Sequence, residues 1–139
     1  MTDLVDLEIP PRSDHLALVR LVVTAAAAVH GRLTDRRIDD LRLAVSEACA
    51  NAVDAVRAAD GDGQILVRIE LGDSELAVTV TDRAGGFDLA AVTEIPGATE
   101  PGRLHHERGL GIPLMRSLVD DVVFNSTGDG TAVRLAVRT

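Results

Sequence analysis

The residues best suited to chemistry lie close together in Glu47-Ala48-Cys49-Ala50-Asn51. Glu47 and Asn51 are four positions apart, so on a helix they share one face, about one turn apart. A glutamate can take a proton from a hydroxyl. An asparagine offers a neutral oxygen suited to a hard cation such as Mg²⁺. Such a pair on its own also decorates many solvated helix faces. Three segments downstream give it more weight: Asp82-Arg83-Ala84-Gly85-Gly86-Phe87, then Arg108-Gly109-Leu110-Gly111, then Gly130-Thr131.

Each downstream segment has a chemical reading and a plain one. Two glycines at a helix start leave backbone N–H groups open to an anion, and the helix dipole adds a positive end. Gly109 and Gly111, with Pro113 in what reads as the first helical turn, therefore suggest a phosphate cradle. The plain reading is a glycine turn before a helix. No Gly-Lys-Ser/Thr comes after it, so this is not a Walker A loop, and no strand directly precedes it as a Rossmann fingerprint requires. Asp82 can accept a hydrogen bond from an exocyclic amine such as that of adenine, or simply form a turn. His105 and His106 are adjacent, and adjacent side chains rarely aim at one ion.

The elements that must position these residues can be read from periodicity. Val5 to Ile9 alternates apolar and acidic residues, as a half-buried strand does, and Pro10-Pro11 ends it. Ser13 or Asp14 can cap a helix running to His30, with Gly31 past its end. That helix is apolar nearly all round except for Arg20, which reads as a snorkelling surface residue or as a contact to a partner protein. Thr34 or Asp35 can cap a second helix with an apolar stripe of Ile38, Leu41, Val45, Cys49, Ala52 and Val56. Asp40, Glu47, Asn51 and Asp54 fall on its other side. Gln64 to Leu71 and Leu76 to Asp82 read as a hairpin turned at Gly72-Asp73. Phe87 to Glu107 has no strong period and reads as a lid or a disordered segment, with a helix opening after it at Gly109. Val122 to Phe124 and Ala132 to Val137 make a final strand pair. Neighbouring antiparallel strands with helices over one face predict an α+β two-layer sandwich, with positions 1–139 as one domain.

Composition narrows the function classes. The chain has 139 residues, 46% hydrophobic but 1% aromatic, so the core must be aliphatic. Without Trp or Tyr, base stacking on aromatic platforms is not available in its usual form. A net charge of −8 argues against nucleic acid or an anionic membrane as the main partner. The single cysteine excludes an internal disulfide and a Cys-rich zinc site, and its apolar neighbours predict a buried structural thiol. The acidic opening is no signal peptide, and no apolar run reaches transmembrane length, so a soluble, cytoplasmic protein is expected.

Taken in order, these segments resemble the GHKL (Bergerat-fold) ATPase superfamily, and in particular the short anti-sigma-factor serine kinases built from this domain alone. The resemblance runs from about Leu7 to Val137. It implies that Glu47 is the general base acting on a protein serine hydroxyl and that Asn51 ligates a Mg²⁺ bridging the phosphates of ATP. It implies that Asp82 binds the adenine amine, that Gly86 lets adenine pack on its loop, and that Thr131 supports the adenine end. Gly109 and Gly111 would hold the phosphates, with Arg108 stabilising the γ-phosphate. It further implies a homodimer that holds a sigma factor inactive and phosphorylates a STAS-type antagonist, with Arg20 in partner contact. Two positions depart from the family pattern. Ala84 stands in place of the first glycine of the Asp-x-Gly-x-Gly box, and Ala55 stands where many relatives have a histidine. The leading expectation is an ATP-dependent protein-serine kinase acting as an anti-sigma factor. The rival is a binding module of the same fold that acts only by sequestering a partner. The ATPase half of a histidine kinase is disfavoured, because His15 and His30 lack a phospho-accepting context.

Overall fold

The computed structural model describes residues 2–59, 63–83, 103–127 and 130–139, with 103–110 and 127 described by their backbone alone. Strand β1 (Asp3–Ile9) leads through a 3₁₀ turn (Ser13–His15) into helices α1 (Leu16–His30) and α2 (Asp35–Ala58). Strands β2 (Ile65–Leu71) and β3 (Glu75–Asp82) come next, then helix α3 (Arg103–Leu118) and strands β4 (Asp121–Thr127) and β5 (Gly130–Arg138). The strands form one sheet in the order β1-β2-β3-β5-β4, every neighbouring pair antiparallel. The helices cover one face, which is the two-layer α+β sandwich that the alternation predicts.

Strand alternation sets that face. Ile65, Val67 and Ile69 of β2, Leu76, Val78 and Val80 of β3, and Val133, Leu135 and Val137 of β5 are all buried under the helices. Their outward neighbours carry ion pairs instead. Arg68 grips Asp6 with two hydrogen bonds of 2.8 and 2.9 Å, and Arg134 reaches Glu75 at 2.6 Å. Helix α2 lies centrally, between α1 and α3 and over β3 and β5. Its whole predicted stripe from Ile38 to Val56 is buried. Thr34 caps it, the Oγ1 accepting from the Arg37 N–H at 3.2 Å. Gly31 ends α1 in the left-handed conformation at φ 72°, which glycine adopts without steric cost.

Helix α3 differs from the sequence expectation. It begins at Arg103, not at Gly109, so Gly109, Gly111 and Pro113 lie inside it. Pro113 has no N–H to give to the carbonyl four residues back. Burial of Ile112, Met115 and Val119 in the shared core offsets that loss. Of the expected lid, 103–107 belong to this helix and 87–102 fall outside the described residues, as do Ala84 and Gly86 before it.

An ion pair fixes how α2 and α3 run. Arg37, in the first turn of α2, donates to Asp120 just past α3 at 2.6 Å. Asp120 also accepts the Arg138 N–H at 2.6 Å. That N–H first, and the Arg37 charge with it, hold the Asp120 carboxyl below its ordinary value. A carboxyl whose pKa is depressed by folding stabilises the fold above its unfolded value and loses that contribution as pH falls through the folded value. Stability is therefore expected to fall as pH drops below about 4, near the unfolded aspartate value. Asp120→Ala should lower Tm by roughly 5 °C at neutral pH and by less in acid, read by calorimetric melting across pH.

Candidate functional site

Four elements bring the candidate residues together. Helix α2 presents Glu47 and Asn51, both half-buried, toward α3. There they meet Gly111, which is buried. A Cβ on Gly111 would lie 2.8 Å from Glu47 Oε2 and 3.8 Å from Asn51 Nδ2. Glycine here thus leaves the space that the Glu47 carboxylate occupies. Among the described residues, neither Glu47 nor Asn51 has a protein hydrogen-bond partner. Helix α2 runs antiparallel to α3, because Glu47 meets Gly111 while Arg37 meets Asp120.

The second half of the site is the β3–β5 ladder. Asp82 closes β3 directly opposite Thr131 near the start of β5. Both point under the helices and are 7% and 5% exposed. They share one cavity with Asn51, walled by Ala48, Ala52 and Ala55 of α2, Val80 and Val133 of the sheet, and Phe124 of β4. The Thr131 hydroxyl is buried with no partner among the described residues. A buried hydroxyl left unpaired costs about 1–3 kcal/mol, so this orphan points to a ligand group as its partner. Alanines along one side of α2 give the cavity an apolar wall, and Asp82 and Thr131 supply the polar end. Gly130 is held by backbone, since a Cβ there would come within 2.6 Å of the Arg83 Cα.

The donor set therefore fits an adenine nucleotide with its metal. The cavity has an anionic acceptor and a hydroxyl at its deep end. The Asn51 amide lines it, and the Glu47 carboxylate stands one helical turn away, both without a side-chain partner among the described residues. Arg108 and Gly109 lie in α3, where only their backbone is described, and Gly86 is outside the described residues. The glycines expected at a helix start are instead within the helix, so Gly111 borders the site through its missing side chain. Phe124 and Ala55 as cavity walls were not singled out for this role by the sequence. The only signal for Phe124 was its inward place in the strand alternation. Cys49 is fully buried, and burial pushes its thiol up to about 12 against the opposing pull of the Arg20 charge, so it is no nucleophile near neutrality. Arg20 itself is half-buried on α1 and makes no ion pair among the described residues. No cluster of potential metal ligands of the His, Cys, Asp and Glu kind exists among the described residues. No described helix is long and apolar enough to cross a membrane.

Gly111 supplies a test with opposite signs. Glycine-to-alanine inside a helix ordinarily stabilises by about 1 kcal/mol. Here the new methyl must displace Glu47 Oε2. Gly111→Ala should leave Tm unchanged or raised while slowing any chemistry that uses Glu47 by roughly a hundredfold, as a misplacement of order 1 Å does.

This arrangement defines a nucleotide-binding α+β sandwich, and the chain belongs to the histidine kinase-like ATPase domain family, whose sequence profile matches residues 9–137. It is similar to the serine-protein kinase RsbW of Bacillus pumilus (strain SAFR-032), 36% identical over 86% of this chain and 76% of that protein. Against the serine-protein kinase RsbW of Bacillus subtilis (strain 168) it is 32% identical, over 91% of this chain and 81% of the relative. Against the RsbW of Listeria innocua serovar 6a the figures are 33%, 88% and 79%. The fold and the enzyme class expected from the motifs, an ATP-binding domain of the serine-protein kinase group, are those of this family.

Proposed function

We propose that this chain transfers the γ-phosphate of ATP to a serine of a STAS-type anti-sigma antagonist, and that it otherwise holds a sigma factor inactive as a homodimer. The observation that carries the catalytic half is the meeting of Glu47 and Asn51 over Gly111, beside a cavity ending in Asp82 and Thr131. A module that only sequesters a partner has no use for a carboxylate that, among the described residues, is uncommitted and stands one turn from the Asn51 wall of that cavity. The serine-protein kinase names of the relatives support the same reading.

Within it, Asp82 accepts the adenine amine and Thr131 gives its orphan hydroxyl a partner at the same end. Asn51 would hold Mg²⁺ through its side-chain oxygen, and the ion would supply neutralisation of phosphate charge. Gly86, Arg108 and Gly109 complete the nucleotide contacts as the family pattern implies. Glu47 takes the proton of the substrate serine as its oxygen bonds the γ-phosphorus. The bond from that phosphorus to the β,γ-bridging oxygen breaks, and ADP leaves with the electron pair. Such transfer depends on position and charge far more than on covalent groups of the enzyme, which suits a site with no nucleophile.

The partner half rests on α1. Its outer face exposes Leu18, Leu21 (66% exposed) and Val29 (84% exposed) with alanines between them, beside Arg20. A contiguous apolar face of this kind on a small acidic protein suits a second copy or a partner protein. ATP as substrate and a transcription factor as partner place the work in the cytoplasm.

The test is phosphotransfer from γ-labelled ATP to STAS-type proteins, read as phosphoserine by mass spectrometry, alongside calorimetric titration of Mg-ATP and Mg-ADP. Absence of nucleotide binding at millimolar concentration overturns the kinase reading. Binding without transfer leaves the sequestering module.

A further inference from the structure

We infer that Leu43 and Leu114 form an apolar seat beside Glu47 for residues that flank the phosphoacceptor serine of the protein substrate. The inference rests on the kinase reading. Leu43 is 46% exposed on α2 and Leu114 is 37% exposed on α3. A single exposed leucine needs no explanation. These two are tied to the reacting carboxylate by geometry. Leu43 precedes Glu47 by four residues, just over one helical turn or about 6 Å along α2. Leu114 comes three residues after Gly111, nearly one turn along α3. Gly111 lies against Glu47, and the two helices run antiparallel. One turn back along α2 is thus level with one turn forward along α3, and the two leucines flank the same outer seam.

Three of the described polar side chains around that seam are committed elsewhere, and Asp40, half-buried three residues before Leu43, adds a carboxylate at its end. Ser46 donates to the Arg42 carbonyl at 2.9 Å, and Ser117 donates to the Leu114 carbonyl at 2.7 Å. Arg42 pairs with Asp39 at 3.3 Å. Among the described residues, the seam thus offers a docking segment next to Glu47 the hydrocarbon of Leu43 and Leu114, with the Asp40 carboxylate at its far end. A serine whose hydroxyl sits within about 3 Å of the Glu47 carboxylate belongs to a chain rising about 3.3 Å per residue if extended. A residue one or two positions from the serine then comes over Leu43. The occupant is a segment of the protein substrate carrying an apolar side chain within two positions of its serine, and the pair sets specificity.

Leu43→Gln and Leu114→Gln test this, since glutamine keeps length and helix propensity without adding charge beside Glu47. The probe is the STAS-type protein that the wild-type enzyme phosphorylates, with rates measured against its concentration. Each variant should raise KM for that protein roughly tenfold, with kcat within about twofold and Mg-ATP affinity by calorimetry unchanged. Leu43→Met should restore the wild-type KM. Unchanged KM in both glutamine variants overturns the seat while leaving the kinase reading intact. Lost Mg-ATP affinity also overturns it, because the pair would then serve the nucleotide. A wild-type enzyme that phosphorylates no STAS-type protein fails one step earlier and removes the reading and the seat together.

Discussion

Glu47→Gln is expected to slow phosphotransfer by about a thousandfold, the middle of the range for a lost general base. Glutamine has nearly the same shape, so it still fits against Gly111. The amide cannot take the serine proton, so the serine must attack while still protonated or pass its proton to water. Mg-ATP affinity should stay within about threefold, because Glu47 is not among the residues that wall the cavity. Single-turnover formation of phosphoserine, with binding measured separately, divides the two effects. A rate within tenfold of wild type would show that Glu47 is not the base. The helix position would then serve packing, and the proton would leave by another route.

The second large effect concerns the deep end of the cavity. Asp82→Asn should weaken Mg-ATP binding about a hundredfold, since a hydrogen bond to a charged group is worth roughly 1.5–3 kcal/mol and each 1.4 kcal/mol is a factor of ten. Selectivity should change as well. A carboxylate accepts from the adenine amine but faces the carbonyl of guanine with like polarity. Asparagine can rotate its amide to donate, so the preference for ATP over GTP should shrink. Calorimetric titration of both nucleotides reads this directly, and the lack of Trp makes intrinsic fluorescence a poor substitute. Thr131→Val is the companion variant. Its hydroxyl has no partner among the described residues, so removing it should leave the free protein as stable or more so while weakening nucleotide binding several-fold. Unchanged affinity in both variants would mean the Asp82–Thr131 pair is structural.

The two effects bear on different halves of the site, which lie on different elements. Glu47 acts across the α2–α3 contact, and Asp82 acts across the β3–β5 ladder. Asn51 touches both, since it lines the cavity and stands one turn from Glu47. Mutations at Glu47 and Asp82 should therefore be nearly additive in free energy, and either should be coupled to Asn51.

Much of this protein is written in short-range pattern. The stripe from Ile38 to Val56, the alternation of β2, the Thr34 cap and the Gly31 terminator depend on neighbours two to four residues away, and all stand where the sequence places them. The order of the Glu47–Asn51 pair, the Asp82 segment, the Gly109–Gly111 segment and Gly130-Thr131 was enough to indicate the family. Other features come from contacts between residues far apart in the chain. Nothing local says that β3 pairs with β5 rather than β4, yet that register alone sets Asp82 against Thr131. Nothing local starts α3 at Arg103 and carries it through Pro113. Burial of Ile112, Met115 and Val119 outweighs the lost hydrogen bond there and turns Gly111 from an expected helix start into the place where Glu47 fits. That Leu43 and Leu114 come level on one seam likewise depends on the antiparallel run that the Arg37–Asp120 pair marks. Periodicity reports which face of an element is buried, because that is a property of a single helix or strand. Which buried faces meet is decided by the packing of the whole core, and the catalytic geometry lies in that meeting.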